Sequence, residues 1–540
     1  MFARERVYFF SAGLIFLLVV LGAGWSDQFR HVAGLALVTL GHYFGWFYLL
    51  AVFLFVVFLL YLALGRYGKI RLGPQDSAPD FSFFSWINML LSAGFGVGLV
   101  FYGMAEPMLH YLTPPHALAE AGTEQAAELA FQYSFFHWGI NQWAAFTLVG
   151  LIIAFFQFRK ERPGLVSNMV EPVLRGMKNP APVLDTLNIL AVIATVMGVA
   201  TSLGLGVLQM NGGLHSVFGW PENFWTKAGI LGAMFLVYTA SSYSGLERGI
   251  KVLSNINMTL VFAFLAYLLF SGPTIYILDN FVNGMAGYLG NFIQMSLTLP
   301  PRDSSGWMNE YTVFYWAWVI AWSPFVGTFI ARISRGRTIQ EFVFGVLMVP
   351  PLLACVWIAV FGGTAMHMEL EGVAPLAAAV DENITTGLFR MYEVMPFSTA
   401  LSALTMLVIF IFLVTSADSA SYIVAQMTDN GSLNPPMYKR LSWGVLISAI
   451  CFTLIVAGGL RGLQSASLVA ALPFSIVLFM IMVVLLRELA ADRREMLINL
   501  YHRNDATPVG GDIFETDEFS ALDVEERIKR RMVIRNPRLK

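Results

Sequence analysis

Apolar runs of roughly 17 or more residues recur along the chain, and each is long enough to cross the hydrocarbon core of a bilayer. We count about twelve, a number consistent with a 540-residue chain that is 57% hydrophobic and only 13% charged. Their centres lie near Phe16, Phe55, Val97, Leu148, Val196, Met234, Phe264, Ile320, Pro350, Ile409, Ile450 and Leu478. The sequence therefore predicts an all-α polytopic membrane protein with twelve transmembrane helices. A net charge of −2 gives no indication of a nucleic-acid partner.

The basic residues between these runs fall mainly on one side. If both termini are cytoplasmic, seventeen Lys and Arg residues lie inside and five lie outside, before residues 488–540 are counted. This distribution follows the positive-inside rule and predicts that orientation. The first run has no small-x-small cleavage site after it, so we interpret it as a retained helix. Residues 488–540 run from acidic to basic, which fits either a solubilising end or a helix that senses anionic lipid or a neighbouring subunit.

Two of the runs are interrupted by residues that weaken helices. The third contains SAGFGVGLVFYG (Ser92–Gly103), in which each glycine weakens a helix by roughly 1 kcal/mol relative to alanine. The eighth contains Pro324, which removes a backbone donor, followed by Gly327. Gly94 and Gly98 alone would fit an ordinary helix-packing motif. Paired interruptions at corresponding places in two sets of five helices instead indicate an inverted-repeat secondary transporter with its site near the midplane.

This interpretation divides the chain into five parts. Helices one and two lie outside the repeat, and an outer linker that contains an amphipathic segment joins the two halves. The predicted boundaries are 1–80 for the two N-terminal helices, 81–272 for the first repeat, 273–310 for the linker, 311–487 for the second repeat and 488–540 for the cytoplasmic segment.

Several tryptophans lie away from the ends of the predicted spans, although membrane tryptophans usually mark the interfaces. Trp143 and Phe146 are one turn apart, and Trp322 is close to Pro324. Such rings fit either packing or a cage for a cationic group, each ring contributing roughly 0.5–2 kcal/mol when desolvated. Since neither of these two segments contains an evident anionic residue, we expect a zwitterion rather than a bare cation as the ligand.

Hydroxyl groups cluster in two other spans. Thr415 and Ser416 lie within one turn of the Phe412 carbonyl, and span five carries Thr195, Thr201 and Ser202. Hydroxyl and carbonyl oxygens suit a hard cation such as sodium, although hydroxyls inside a helix more often bond to their own backbone. No spacing typical of metal ligands or of a nucleophile and base surrounds the acids of the spans or their edges, so we expect neither an enzyme nor a cofactor. These acids are expected to cap helices or to form gating ion pairs, for example Glu247 or Asp418 with the Arg332–Arg337 cluster; they are Glu106, Asp185, Glu247 and Asp418.

The chain resembles the betaine/choline/carnitine transporter family over nearly its whole length. The resemblance rests on AGFGVGLVFYGMAEP, HWGINQW, ATVMGVATSLGLG, ERGIKVLSNIN, YWAWVIAWSPFVGTFIARISRGRTI and VTSADSAS. It implies the five-plus-five inverted repeat of the LeuT-like fold with two extra N-terminal helices. It further implies a homotrimer that imports trimethylammonium or related compatible solutes across a bacterial inner membrane.

The resemblance also assigns binding residues. The family's aromatic box falls on Trp138, Trp143, Phe146 and Val319, with Trp318 and Trp322 beside it and the backbone at Gly94, Phe95 and Gly96 opening next to the solute. Phe146 stands where the family usually has tyrosine, and Val319 where it usually has tryptophan. These two departures weaken the cage by roughly 1–3 kcal/mol unless something compensates.

A sodium site is implied by the same resemblance. It would use the carbonyls of Ser92, Phe95 and Phe412 and the hydroxyls of Thr415 and Ser416. A second family site matches Thr195 and Phe325, but its other threonine is Val199, which has no oxygen in its side chain. We therefore expect at most one well-formed sodium site.

Together these observations predict sodium symport of a small zwitterionic osmolyte, with glycine betaine as the default. Ion-independent exchange of the carnitine type is the alternative mechanism. Choline, carnitine, a sulfonium solute, ectoine and taurine remain alternative substrates. A receptor that binds solute without net flux is a further alternative.

Overall fold

The computed structural model describes residues 5–94, 96–174, 176–244, 247–299 and 306–505. These residues form helices and connecting loops, with one isolated β-bridge between Arg71 and Thr338. The helices are α1 (Arg6–Gly24), α2 (Ser26–Leu64), α3 (Phe83–Gly94), α4 (Val97–Leu112), α5 (Glu124–Trp138), α6 (Ile140–Ala154), α7 (Val166–Val170), α8 (Ala181–Phe218), α9 (Phe224–Ser244), α10 (Glu247–Ser271), α11 (Thr274–Gly290), α12 (Phe292–Leu297), α13 (Phe314–Ile333), α14 (Ile339–Leu370), α15 (Leu376–Glu382), α16 (Gly387–Glu393), α17 (Ser398–Thr428) and α18 (Met437–Asp505).

Nine helices among the described residues are long and apolar enough to cross a membrane, and ten if the bent pair α3–α4 is one span. The predicted polytopic, all-helical fold is thus confirmed, while the count differs from twelve. The difference has two sources. The apolar part of α9, Phe224–Ala240, is short. The predicted runs around Ile450 and Leu478 both fall in α18, which is continuous except for non-helical backbone at Gly459 (φ 57°, ψ −141°).

The glycine-rich interruption is present where the sequence predicts it. α3 ends at Gly94, Gly96 is extended (φ −151°, ψ 172°), and α4 starts at Val97 with its axis bent by 66° from that of α3. Phe95 lies outside the described residues. Gly98 serves packing as well, because a Cβ placed there would lie 2.3 Å from Cη2 of Trp318.

The predicted break at Pro324 is wrong, because α13 runs through it without interruption. Proline leaves the Ile320 carbonyl without an amide donor, and the Ser323 hydroxyl donates to that carbonyl instead at 2.7 Å. Gly327 allows a close helix crossing: a Cβ there would lie 2.8 Å from the amide nitrogen of Gly150 in α6. The eighth run is therefore a continuous, closely packed helix rather than an unwound one.

A further interruption separates α5 from α6 at Gly139, whose backbone (φ −84°, ψ −147°) is not helical. A Cβ at Gly139 would meet the Phe135 carbonyl oxygen at 2.4 Å and the Tyr288 ring at 2.8 Å. The glycine within HWGINQW is the signal that sequence reasoning missed. It places Trp138 and Trp143 on opposite sides of a break.

The core of the molecule is built around α13, which packs against α6 and α8, while α17 packs against α8 and α14 packs against α4. The contact between α8 and α13 is backbone to backbone, since a Cβ at Gly198 would lie 2.6 Å from the amide nitrogen of Trp322. The chain divides into two compact units, residues 1–478 and 479–540. In the second, the described residues are helical and 506–540 lie outside the described part, as does most of the predicted acidic-to-basic segment.

Candidate functional site

A cavity of about 840 Å³, half-open to solvent, lies where the start of α4 meets α8, α10, α13 and α17. Its volume is within the usual range for small-ligand sites, which is roughly 300–1,000 Å³. One end of the cavity is formed by the break after α3 and by the α8–α13 contact. Gly96 lies at the break, Trp322 lies at the contact, and both line the cavity. The cavity therefore forms at the place where the sequence predicts unwound backbone.

Four of the five residues predicted to bind sodium line this cavity. They are Ser92, Phe412, Thr415 and Ser416, and the fifth, Phe95, lies outside the described residues. The Thr415 hydroxyl donates to the carbonyl of Ile411 at 2.9 Å and to that of Phe412 at 3.3 Å, so its oxygen still has acceptor capacity. Ser92 lies in the last turn of α3, where backbone carbonyls lack helical amide partners. These residues offer hard oxygens, the ligand type that a hard cation such as sodium prefers.

The residues of the second predicted sodium site do not meet in this way. Phe325 lines the cavity, whereas Thr195 is fully buried outside its lining. The Thr195 hydroxyl donates to the Ala191 carbonyl at 2.7 Å and lies 3.8 Å from Sδ of Met427. Val199 is buried and supplies only methyl groups. This geometry does not fit a second cation.

Most of the predicted aromatic box surrounds a separate, closed gap. Trp138, Trp143, Phe146, Trp318 and Trp322 line it, and its volume is about 10 Å³. A space of that size holds one water molecule at most. Gly96 and Trp322 line both the gap and the large cavity, while Val319 is fully buried and lines neither. The structure thus assembles the rings that the sequence predicts, but in a collapsed state.

The ring geometry accounts for this closure. Trp318 and Trp322 stack at 5.7 Å between centroids, and Phe146 packs edge-on against Trp322 at 5.5 Å. Trp143 packs edge-on against Phe146 at 5.3 Å, and Trp138 against Trp318 at 6.1 Å. The rings therefore occupy one another's faces, and a solute must separate them in order to bind between them.

A buried polar network lies directly behind Trp138. The Trp138 indole N–H donates to Oε2 of Glu106 at 2.6 Å, and the Tyr315 hydroxyl donates to the same oxygen at 2.5 Å. His137 Nδ1 and His110 Nε2 lie 2.7 and 3.2 Å from Oε1. Glu106, His110 and His137 are all fully buried. The expectation that Glu106 caps a helix or forms a gating pair is therefore wrong.

Among the described residues, Glu106, His110 and His137 form a group that could hold a metal ion. Their possible ligand atoms lie within 4.8 Å of one another. Their other partners favour a hydrogen-bonded carboxylate. Trp307 donates to Nδ1 of His110 at 3.3 Å, and His137 Nε2 lies 2.9 Å from the Thr312 hydroxyl. Each imidazole can then be neutral and donate its one N–H to Glu106. The only sequence signal was the four-residue spacing of Glu106 and His110.

The other predicted acids have different partners. Asp418 Oδ1 lies 3.9 Å from Arg440 at the wall of the large cavity, and Asp185 lies 3.9 Å from Arg6. Arg332 donates to the Tyr422 hydroxyl at 3.0 Å. The Glu247 side chain lies outside the described part of the structure. Arg440, which lies beside Asp418, is not a member of the Arg332–Arg337 cluster.

Comparison with known proteins identifies the family of the chain. Residues 6–494 match the model of the betaine/carnitine/choline family transporters. The chain is 51% identical to the ectoine/hydroxyectoine transporter of Virgibacillus pantothenticus over 492 residues, covering 91% of this chain and 98% of that protein. It is 43% identical to the glycine betaine transporter OpuD of Bacillus subtilis over 495 residues, covering 91% and 96%. It is 35% identical to an osmo-dependent choline transporter of Acinetobacter baylyi over 516 residues, covering 94% and 74%. The chain therefore belongs to the betaine/carnitine/choline transporter family, as its motifs predict, and is a membrane transporter rather than an enzyme.

Proposed function

We propose that this transporter imports a small zwitterionic compatible solute of the ectoine or glycine betaine type by sodium symport. The observation that carries the proposal is that Ser92, Phe412, Thr415 and Ser416 line the same cavity as Trp322 of the aromatic box. The proposed cation site thus lies in the large cavity, and the proposed solute site adjoins it through Gly96 and Trp322, which line both spaces. Binding of the sodium ion or of the solute therefore changes the space and the electrostatic field at the neighbouring site.

The substrate class follows from the chemistry of the box and from the relatives. Tryptophan faces attract quaternary ammonium and other delocalised cations. Relatives at 51% and 43% identity are named as carriers of ectoine/hydroxyectoine and of glycine betaine. Ectoine carries a delocalised amidinium ring and a carboxylate. Phe146 and Val319 depart from the box usual in the family, and we propose that ectoine is the better bound of the two solutes.

We also propose the architecture that the family resemblance implies: twelve spans in a five-plus-five inverted repeat with α1 and α2 outside it, a homotrimer, and cytoplasmic termini in a bacterial inner membrane. Arg332 and Arg440 line the cavity away from the aromatic gap. Under the positive-inside rule these residues are cytoplasmic. The half-open cavity is then the inward-facing state, and the closed gap is the pathway from the outer side.

Symport and exchange differ in the free energy that is available for accumulating the solute. A tenfold sodium gradient supplies about 1.4 kcal/mol, and moving one charge through 100 mV supplies about 2.3 kcal/mol. One sodium ion per neutral zwitterion therefore supports an accumulation of about 500-fold under those conditions. An exchanger supports no net accumulation, and Val199 argues against a second sodium ion.

The deciding experiment is uptake of radiolabelled ectoine and glycine betaine into proteoliposomes with and without an inward sodium gradient. Sodium-dependent accumulation above the outside concentration supports symport. Counterflow that is equally fast with no sodium on either side, together with no accumulation under a sodium gradient, would identify an exchanger and refute sodium coupling. Binding with no flux in either format would identify a receptor.

A further inference from the structure

Glu106 carries a negative charge deep inside the molecule without a permanent cation beside it. Its side chain is fully buried, and its ion-pair contacts in the described ranges are with His110 and His137 alone. The hydrogen-bond partners of both imidazoles are satisfied with the rings neutral, because each then donates one N–H to the carboxylate. A buried, uncompensated charge is costly in a membrane and is therefore usually functional.

This carboxylate is joined directly to the aromatic box. Oε2 accepts from the Trp138 indole N–H at 2.6 Å, while the Trp138 ring lines the closed gap. The same oxygen accepts from the Tyr315 hydroxyl, and the Tyr315 ring packs edge-on against Trp138 at 5.6 Å. One atom on α4 thus fixes a ring on α5 and a ring on α13. The box residue with the most strongly held orientation is Trp138.

An N–H group that donates to an anion is polarised, and electron density moves toward its own ring. The face of the indole becomes more negative, which strengthens its attraction for a cation above it. Phe146 lacks a phenol and Val319 lacks an indole, so a strengthened Trp138 would offset part of what those positions do not supply.

We propose that Glu106 is a positioning residue that confers selectivity for solutes with a cationic head, acting through the indole N–H of Trp138. This inference rests on the proposed function, since it concerns the solute that binds at the aromatic box. It predicts that the charge of Glu106 matters for zwitterions and not for an uncharged head of equal shape. Glycine betaine and 3,3-dimethylbutanoate form such a pair, because the second replaces the quaternary nitrogen with carbon.

The test uses the full-length protein in proteoliposomes and the substitution Glu106→Gln, with the exposed Glu128→Gln in α5 as a matched control. We expect Glu106→Gln to raise the KM for glycine betaine and ectoine about tenfold, with a maximal rate within about twofold of wild type. The inhibition constant of 3,3-dimethylbutanoate should not rise, and Glu128→Gln should change none of these values. Equal weakening of the zwitterions and of 3,3-dimethylbutanoate, whose head group is uncharged, would overturn the proposal, because it would indicate a general structural role.

A double-mutant cycle with Trp138→Phe tests the route. Phenylalanine keeps a ring but removes the N–H, so Glu106→Gln should change the KM by less than about twofold in the Trp138→Phe background. Independent, multiplying effects would show that Glu106 does not act through this N–H. If Glu106→Gln does not fold, Trp138→Phe alone carries the test: a raised KM for the zwitterions with unchanged inhibition by the isostere supports the proposal, and no change in either overturns it. A wild-type protein that carries neither zwitterion would overturn the proposed function, and this inference with it.

Discussion

Gly96 and Trp322 are the two residues shared by the open cavity and the closed aromatic gap. A Cβ on Gly96 would lie 3.5 Å from Cη2 of Trp322, which is ordinary van der Waals contact. Gly96 and Trp322 thus lie at the boundary between the two spaces. We expect a solute that moves from the gap to the cavity to pass these two residues.

The size of residue 96 should therefore control transport. Gly96 is extended, so larger residues meet no backbone strain there. Gly96→Ala should retain at least about half of the wild-type uptake rate, whereas Gly96→Leu should retain less than about a tenth because its branch overlaps the Trp322 ring. Solute uptake at equal amounts of reconstituted protein measures both. Full activity of Gly96→Leu would show that the pathway lies elsewhere.

The helix crossing at Gly198 should be sensitive to a single methyl group. A Cβ there would meet backbone atoms of Ala321 and Trp322 at 2.7 and 2.6 Å, and backbone cannot move aside cheaply. We expect Gly198→Ala to destabilise the protein by about 1–3 kcal/mol. Gly232 in α9 is the matched control, because a Cβ there meets nothing within 4 Å. Gly232→Ala should be neutral or stabilising by up to about 1 kcal/mol. Thermal unfolding in detergent compares them, and equal Tm values for the two variants would contradict the packing argument.

The cavity hydroxyls should determine sodium dependence. Replacing Thr415 and Ser416 together with alanine removes two hard oxygen ligands, so the KM for sodium should rise at least about tenfold, or sodium stimulation should be lost. Thr259→Ala is the control, because the Thr259 hydroxyl bonds to its own helix at 2.9 Å, as that of Thr415 does, but is exposed on α10. Its sodium response should equal that of wild type. Unchanged sodium stimulation in the double variant would exclude this site as the coupling site.

The orientation of the cavity can be tested with a thiol reagent. Cys355 and Cys451 are fully buried, so the wild-type background should be low. A cysteine introduced as Ser419→Cys lines the half-open cavity and should react with a membrane-impermeant maleimide in inside-out vesicles. The same variant should be protected in right-side-out cells. The opposite pattern would reverse the proposed sidedness.

Local patterns in the sequence predicted much of the fold. The length of the apolar runs predicted the spans. Three glycines on alternate residues predicted the break between α3 and α4, which forms one end of the cavity. Pro324 led to the wrong prediction of a break. The amide donor that proline lacks is replaced by the hydroxyl of the neighbouring Ser323, whose direction is set only in the folded helix. The glycine at 327 was assigned to unwinding, although it permits a close approach of α6 and α13.

The network at Glu106 could not be predicted from spacing. Trp138 lies 32 residues away and Tyr315 lies 209 residues away along the chain, so only the packing of three helices brings them to one carboxylate. The absence of an acid from the two aromatic segments was correctly observed, but the acid comes from a third segment. The sodium site stays a prediction, and Phe412, Thr415 and Ser416, which share one turn of α17, all line the large cavity.

The glycine crossings described above bear on how the carrier alternates its access. At Gly150 with Gly327, and at Gly198 with Trp322, α13 touches its neighbours without intervening side chains. Helices locked in this way cannot slide by a fraction of a turn without collision, so α6, α8 and α13 should rock as one block. Gly96 is extended and a Cβ there would lie 3.5 Å from Trp322, so we expect the pivot at this break between α3 and α4.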